Sequence, residues 1–432
     1  MKENWKIALL LTIAVMALNL SLIFDVGFLS DDWDILKRAS EGSIFSQIEQ
    51  HHYSPFVASV FKVIGVLGLS PAWIHLLAFL VHGINIYLVL SLSGRLGLRH
   101  WEKLIVGTLF ALSPAGFESL AWCCAIGYIV CSMWMLLALR MYFQYKDGLS
   151  PRAPYLLALL QLAAFATWDW GVLLMPLLVS VGWVYYREKV PAGIWPTVAV
   201  WCAVVLGKKI AGLSIGYDIN TASKALMNFG ASFMLTIWPE FGRSFYSSLW
   251  GLCLAVMTVG LFVWAAMTDR ISRLGLALFF VSMIPVALAG HPQSRYMYFA
   301  AIFLYWGLAR VLDRSSLGRV AAVVYVVVAL FWAMERRDVW LETDLQAKFY
   351  KRAVDAGLEA YGKIALANVP DSVKGYDLVW LPPVWRCGTD CFGGEVIVMN
   401  PFGKQEISES EVGEDYHILR IGDRRKSRSV SR

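Results

Sequence analysis

Residues 71–103 read PAWIHLLAFLVHGINIYLVLSLSGRLGLRHWEK, and the architecture turns on how this stretch lies. Positions 71–93 form an apolar run of the length a membrane-crossing helix needs, about 20 residues. Arg95, Arg99 and Lys103 follow it at once. Cytoplasmic flanks carry the excess of Lys and Arg, so this helix runs from outside to inside. The first apolar run, about Trp5 to Leu29, follows Lys2 and Lys6 and runs the other way, with the N-terminus in the cytoplasm. It is too long for the apolar core of a signal peptide, and no small-residue cleavage site follows it cleanly. Two neighbouring spans of opposite direction leave no place for a third crossing between them. The apolar piece at 55–69, which contains Lys62, therefore lies in the outer interface, within a first outer loop of about 30–70.

Composition agrees with a chain built mostly of such runs. Of 432 residues, 58% are hydrophobic and 16% are charged, against about 25% charged in average soluble domains. This excludes a disordered chain, a coiled coil and an ordinary soluble enzyme. The 19 Trp suit a chain that crosses the membrane interface many times. Further apolar stretches lie at 103–121, 123–145, 154–169, 170–187, 192–213, 245–267, 273–290, 296–312 and 318–336. Lys146 with Arg152, Arg187 with Lys189, Arg270 with Arg273, and Arg310 with Arg314 and Arg319 then all fall inside. The expectation is an all-α polytopic membrane protein of about 11 spans, N-terminus in and C-terminus out. An apolar piece around Phe229 to Trp238 stays outside without spanning.

From about residue 337 the composition turns polar. WLETDLQAKFYKRAVDAGLEAYGKI reads as a helix, DLVWLPPVW and GEVIVMN as short strands, and RRKSRSVSR as a basic tail. The division expected is residues 1–336 in the membrane and a small α/β extracytoplasmic domain at 337–432. Most of the 7 Cys lie in apolar stretches and read as small core residues. Cys387 and Cys391 have a polar setting that would allow a disulfide in an oxidising compartment. No spacing matches a zinc or haem site, and a net charge of +6 on a membrane chain gives no ground for a nucleic-acid partner.

Ionisable side chains in or beside membrane helices are costly and mark functional sites. Those expected on the outer side come from separate parts of the chain: Asp31, Asp32 and Asp34, His51 and His52, Glu118, Asp169, Lys208 and Lys209, His291 and Arg295. Their convergence on one membrane face implies an outward polar cavity. A carboxylate there can take a proton from a hydroxyl, and Arg and Lys can hold a phosphate. Each residue also has a plainer reading. Asp31, Asp32 and Asp169 suit helix N-caps, Glu118 can pair with a neighbouring cation, and Lys208, Lys209 and Arg295 can snorkel to headgroups. His75 and His82 lie seven apart on one helix face, which fits a polar stripe between packed helices better than a metal site.

In order along the chain, these segments resemble the GT-C class of integral membrane glycosyltransferases. The resemblance is nearest to the protein O-mannosyltransferases, their transmembrane and TPR-containing branch and its bacterial relatives. FLSDDWDIL matches the acidic pair of the first outer loop and carries the catalytic base to Asp31 or Asp32, with Asp31 favoured. HHYSPF with GLSPAWIHLLAFLVHGINIYLVL matches the interfacial helix and second span, with His75, His82 and Asn85 in place and Ala78 where an Asn is common. FALSPAGFESLAW keeps Pro114, Glu118, Ala121 and Trp122, while Ser113 replaces a His. The turn that usually reads Ser-Lys-Glu is Thr167, Trp168 and Asp169, so its basic residue is lost. SRYMYF supplies Arg295, Tyr296 and Tyr298.

The resemblance covers roughly residues 1–360, and no TPR array follows. It implies a polyprenyl-phosphate-linked sugar donor and a protein, lipid or glycan acceptor. The setting implied is a bacterial or archaeal plasma membrane. His52, Glu118, Asp169, Lys208, Lys209, His291, Arg295 and Tyr296 would bind substrate, and no metal ligand is assigned. The acidic pair could serve a divalent ion as well as a proton. The readings to be set against this one are a transporter or flippase, and a polysaccharide ligase or polymerase with a pyrophosphate-linked donor. The absence of an internal repeat and the clustering of charge at one face favour the enzyme.

Overall fold

A computed structural model describes residues 4–29, 31–42, 44, 54–113, 116–188, 193–210, 221–237, 249–289, 294–361, 363–367, 372–373, 376–377, 395–398 and 416–420. Helices α1 (Asn4–Leu18) and α2 (Leu20–Asp25) make up the first apolar run. They part at Asn19, whose side-chain amide donates to the Val15 carbonyl at 2.8 Å. The acidic pair opens α3 (Asp31–Glu41). Helix α4 (Pro55–Leu67) starts on a proline, which suits a first helical turn, and stops at Gly68, whose φ of 60° favours glycine. At 13 residues it is about 20 Å long, short of a hydrocarbon layer of about 30 Å. It packs against α3 and against α9 (Ala153–Thr167), with Val57, Phe61 and Ile64 buried.

Helix α5 (Ala72–Arg95) is the stretch on which the topology turned. Helix α6 (His100–Ala111) follows, its start held by Glu102, which accepts the Arg99 backbone N–H at 2.6 Å. The short α7 (Phe117–Ala121) leads through a tight turn at Cys123–Ala125 into α8 (Ile126–Lys146). After α9, a turn at Asp169–Leu173 enters α10 (Leu174–Ser180), which widens into a π turn at Val181–Tyr185. The remaining helices are α11 (Trp195–Ile210), α12 (Ala222–Ile237), α13 (Leu249–Thr268), α14 (Arg270–Ala289), α15 (Ser294–Leu312) and α16 (Ser316–Tyr361). Among the described residues, the helical segments 72–95, 123–146, 270–288 and 316–345 are long and apolar enough to cross a membrane.

Helix α15 is the central pillar. Residues 296–309 are buried without exception, which fits a helix apolar all round. Helix α16 is its opposite: Leu317, Val320, Val323, Val324, Val327 and Phe331 lie exposed on its flank. Such a face is covered by lipid hydrocarbon in a bilayer, where a helix keeps its backbone satisfied.

The last apolar run and the polar helix expected after it are one continuous α16 of 46 residues. At about 1.5 Å per residue it is about 69 Å long, more than twice the hydrocarbon thickness. It passes through residue 336 without a break. Strand β1 (Lys363–Ala367) follows and lies between β4 (Glu395–Val398) and β5 (His417–Arg420), parallel to both. Ile364 pairs with Val396 on one side and His417 on the other. A two-residue antiparallel pair, β2 (Ser372–Val373) and β3 (Tyr376–Asp377), completes the described strands. The expected strand GEVIVMN is β4. DLVWLPPVW beyond Asp377, and Cys387 and Cys391, lie outside the described residues.

The segments expected in the cytoplasm meet one another. Arg310 reaches Glu102 at 2.9 Å and Asp269 at 3.0 Å. Asp313 takes Arg99 at 3.0 Å and Arg319 at 2.8 Å. Arg95 pairs with Asp147, and Lys146 with Glu188.

Candidate functional site

The other end of the bundle is built differently. Helix α3 begins at the acidic pair, and Asp32 in its first turn is fully buried. Its Oδ2 accepts the Leu29 N–H at 2.9 Å and its Oδ1 the Cys124 N–H at 2.7 Å. The carboxylate thus ties the entry of α3 to the turn between α7 and α8. Two amide donors and the positive end of a helix dipole offset the cost of burying its charge. The side chains of Asp31, His52 and His291 lie outside the described residues.

Beside this anchor, Glu118 at the start of α7 receives Arg295 at the start of α15. Its Oε2 accepts the Arg295 backbone N–H at 3.0 Å and its Oε1 pairs with the guanidinium. Ser119 Oγ donates to the Arg295 carbonyl at 3.2 Å. The guanidinium lies 4.9 Å from the Trp122 ring centre and 5.0 Å from that of Tyr296. Cation–π contact of this kind strengthens where water is excluded. Trp122 Nε1 donates to the Leu29 carbonyl at 3.3 Å, so one indole links Arg295 to the segment that carries the acidic pair.

An aromatic layer continues from there. Tyr296 stacks on Trp170 at 5.5 Å, and Tyr128 meets Trp168, Trp170 and Tyr296. Between the two tryptophans stands Asp169, at the start of the turn after α9, and it pairs with Lys208 from α11. Lys208 also lies 5.9 Å from the Phe165 ring centre, whereas Lys209 is exposed. Asp32, Glu118, Asp169, Lys208, Arg295 and Tyr296 therefore gather at one end. The lysine of the second pair comes from α11, and Trp168 precedes its partner Asp169 in the turn.

His75 and His82 form the polar stripe the helical spacing suggested. His75 Nδ1 faces the Leu120 carbonyl at 3.4 Å, and Cys123 Sγ lies 3.5 Å from its Nε2. His82 Nε2 faces the Ala111 carbonyl at 3.3 Å, an acceptor, so Nε2 carries the proton. Nδ1 is then left to accept from the Tyr298 hydroxyl at 2.7 Å, and that oxygen accepts Asn85 Nδ2 at 3.0 Å. The stripe joins α5 to α6, α7 and α15. Among the described residues no three carboxylate, histidine or cysteine side chains gather to hold a metal ion.

Trp170 and Tyr128 escaped the sequence reading, as did Asp344. The first two sit beside residues that were singled out, but nothing in an aromatic-rich chain separates a pocket wall from an interface anchor. Asp344 lay in a segment taken as a separate appendage.

No family model and no curated protein matches this chain. Solved structures do resemble it. The oligosaccharyltransferase of Archaeoglobus fulgidus, in complex with Zn and sulfate, is 12% identical, with a TM-score of 0.50 over 92% of this chain and 62% of its own. ArnT from Cupriavidus metallidurans in the apo state is 12% identical, with a TM-score of 0.50 over 91% of this chain and 85% of its own. The fold is of the GT-C type. Its helical segments long and apolar enough to cross a membrane fit a membrane protein. The chain spans about three fifths of the length of the archaeal oligosaccharyltransferase. ArnT is also seen bound to undecaprenyl phosphate, at a TM-score of 0.47 to this chain.

Proposed function

We propose that this chain is a glycosyltransferase that moves a sugar from a polyprenyl-phosphate-linked donor to an acceptor hydroxyl on the extracytoplasmic side. The observation that supports this best is the link, through the Trp122 indole, between the Arg295–Glu118 pair and the segment that leads into the acidic start of α3, at one end of a GT-C fold. ArnT, of the same fold class, binds undecaprenyl phosphate. The ordered motifs support a likeness to the protein O-mannosyltransferases within that class.

The two acidic residues divide the work. Asp32, with both oxygens on backbone amides, holds the loop. Asp31 is the general base: it takes the acceptor's proton as the oxygen attacks the anomeric carbon. The bond from that carbon to the phosphate oxygen breaks, and the polyprenyl phosphate leaves with its electron pair. Arg295, oriented by Glu118, stabilises the charge that develops on the leaving phosphate. Asp169, Lys208 and the aromatic layer shape the sugar's side of the site. A single displacement inverts the anomeric configuration.

The test offers radiolabelled polyprenyl-phosphate sugars to the reconstituted protein and to Asp31→Asn and Asp32→Asn. Transfer by the wild type that is lost in Asp31→Asn, with donor binding retained, supports the reading. A product of retained configuration removes the mechanism. Equal activity in both variants makes the pair structural, and labelled lipid crossing the bilayer unconsumed assigns the chain to transport.

A further inference from the structure

The segment between α2 and α3 carries the acidic pair, and it is held from the far end of the sequence. Asp344, on the part of α16 beyond the apolar run, is buried, and its Oδ1 accepts the Gly27 N–H at 2.7 Å. Its Oδ2 pairs at 2.7 Å with Lys348, one helical turn on, and Lys348 Nζ donates to the Asp25 carbonyl. The approach is close: a Cβ on residue 27 would stand 3.2 Å from Asp344 Oδ1, so glycine there lets the carboxylate reach the amide. Two residues further, Leu29 gives its N–H to Asp32 and takes Trp122 Nε1 on its carbonyl. The short link 25–29 is thus gripped by α16 on one side and by Asp32 and Trp122 on the other.

We propose that Asp344 is a positioning residue for the transfer reaction, acting through Gly27 on the acidic pair at the start of α3. The proposal rests on the base assignment above. A structural pin alone would affect folding. A positioning residue affects turnover while donor binding is kept, because the donor's phosphate is held elsewhere, by Arg295.

The experiment compares Asp344→Ala, Asp344→Asn, Gly27→Ala and the double variant Asp344→Ala with Asp31→Asn, in the full-length reconstituted protein with a polyprenyl-phosphate sugar donor. Asp344→Ala is expected to lower kcat about 10- to 100-fold with donor KM within about 2-fold. Asp344→Asn keeps an oxygen for the Gly27 amide and is expected to recover most of the rate. Gly27→Ala should fall between them. The double variant is expected to be no slower than Asp31→Asn alone, since groups acting as a unit are not additive. Additive losses in the double variant, or wild-type kcat in Asp344→Ala while Asp31→Asn is inactive, would overturn the proposal and leave the base assignment standing. Loss of donor binding in all the Asp344 and Gly27 variants would assign the contact to folding and overturn it as well. Wild-type activity of Asp31→Asn would remove the base assignment itself.

Discussion

The two ends of this bundle use charge in opposite ways. At the end expected to face the cytoplasm, the inner end of the proposed topology, carboxylates from separate loops meet cations: Arg310 lies between Glu102 and Asp269, and Asp313 takes Arg99 and Arg319. The cations stay partly in water, as with Arg99 and Arg319, while Glu102 and Asp313 are buried beneath them. At the end expected outside, the outer end of the proposed topology, Asp32 is buried on backbone amides, and Glu118 and Asp169 each hold a cation against aromatic rings. An inner ring of this kind ties loops together and fixes orientation. Under the proposed function, the outer arrangement orients individual groups toward the transfer reaction. The lesson is that positive charge alone does not mark a functional site. The partner and the depth of each charge do.

The largest effect is expected at Asp31. Asp31→Asn should lower kcat by about 10²- to 10⁴-fold, the usual contribution of a general base, with thermal stability unchanged. A fall in stability that matched the fall in rate would make the outer end as structural as the inner one. Arg295→Met should cost about 3–5 kcal/mol, because it leaves the buried Glu118 carboxylate without its countercharge, on the residue 295 backbone N–H alone. Denaturant unfolding in detergent measures this. The double variant with Glu118→Gln should regain much of that stability without regaining transfer. Asp32→Ala should cost about 2–3 kcal/mol by the same measurement, for two charge-assisted bonds to backbone amides. At the inner end, Arg310→Gln should cost about 1–2 kcal/mol while transfer stays at the wild-type rate, since its guanidinium is partly exposed.

The smallest effect concerns pH. Burial acts to raise the Asp269 carboxyl, but hydrogen bonds from Arg310 and from the Ser272 amide and hydroxyl outweigh it and hold its pKa below the usual carboxylate value. A depressed folded-state pKa adds stability above the unfolded value of about 3.9, and that stability is lost as pH falls through the folded value. The melting temperature of the wild type should therefore drop more steeply below about pH 4 than that of Asp269→Asn. Equal slopes would show that the inner ring carries no pH-linked stability at this residue.

Much of the arrangement is legible in single residues. Arg95, Arg99 and Lys103 after one apolar run identify the end at which Arg99 is found bonded to Asp313. The same three cations place 55–69 in the interface, and the helix found there, α4, is 13 residues long. The helical spacing of His75 and His82 foretells a stripe that joins packed helices. Other features could not be read. Lys208 and Asp169 are 39 residues apart, and no spacing rule pairs them. The change of composition near residue 337 suggests a boundary, yet α16 runs through it, because a helix propagates through polar residues as readily as apolar ones once its backbone bonds are formed.

The features legible in the amino-acid order were local and periodic: where apolar helices run and which charged flanks meet at one end of the bundle. Hydrocarbon thickness and the cost of moving charge across it impose those features on any chain of this composition. What only the tertiary structure decided was which charge meets which partner. Asp32 and Asp31 are neighbours of identical chemistry, and the Cys124 amide, 92 residues away, is what commits Asp32 to holding the loop. Asp344 reaches Gly27 across 317 residues of chain. Contacts of that range arise only when packed helices bring distant backbone into reach, since a buried carboxylate must find donors wherever the fold supplies them.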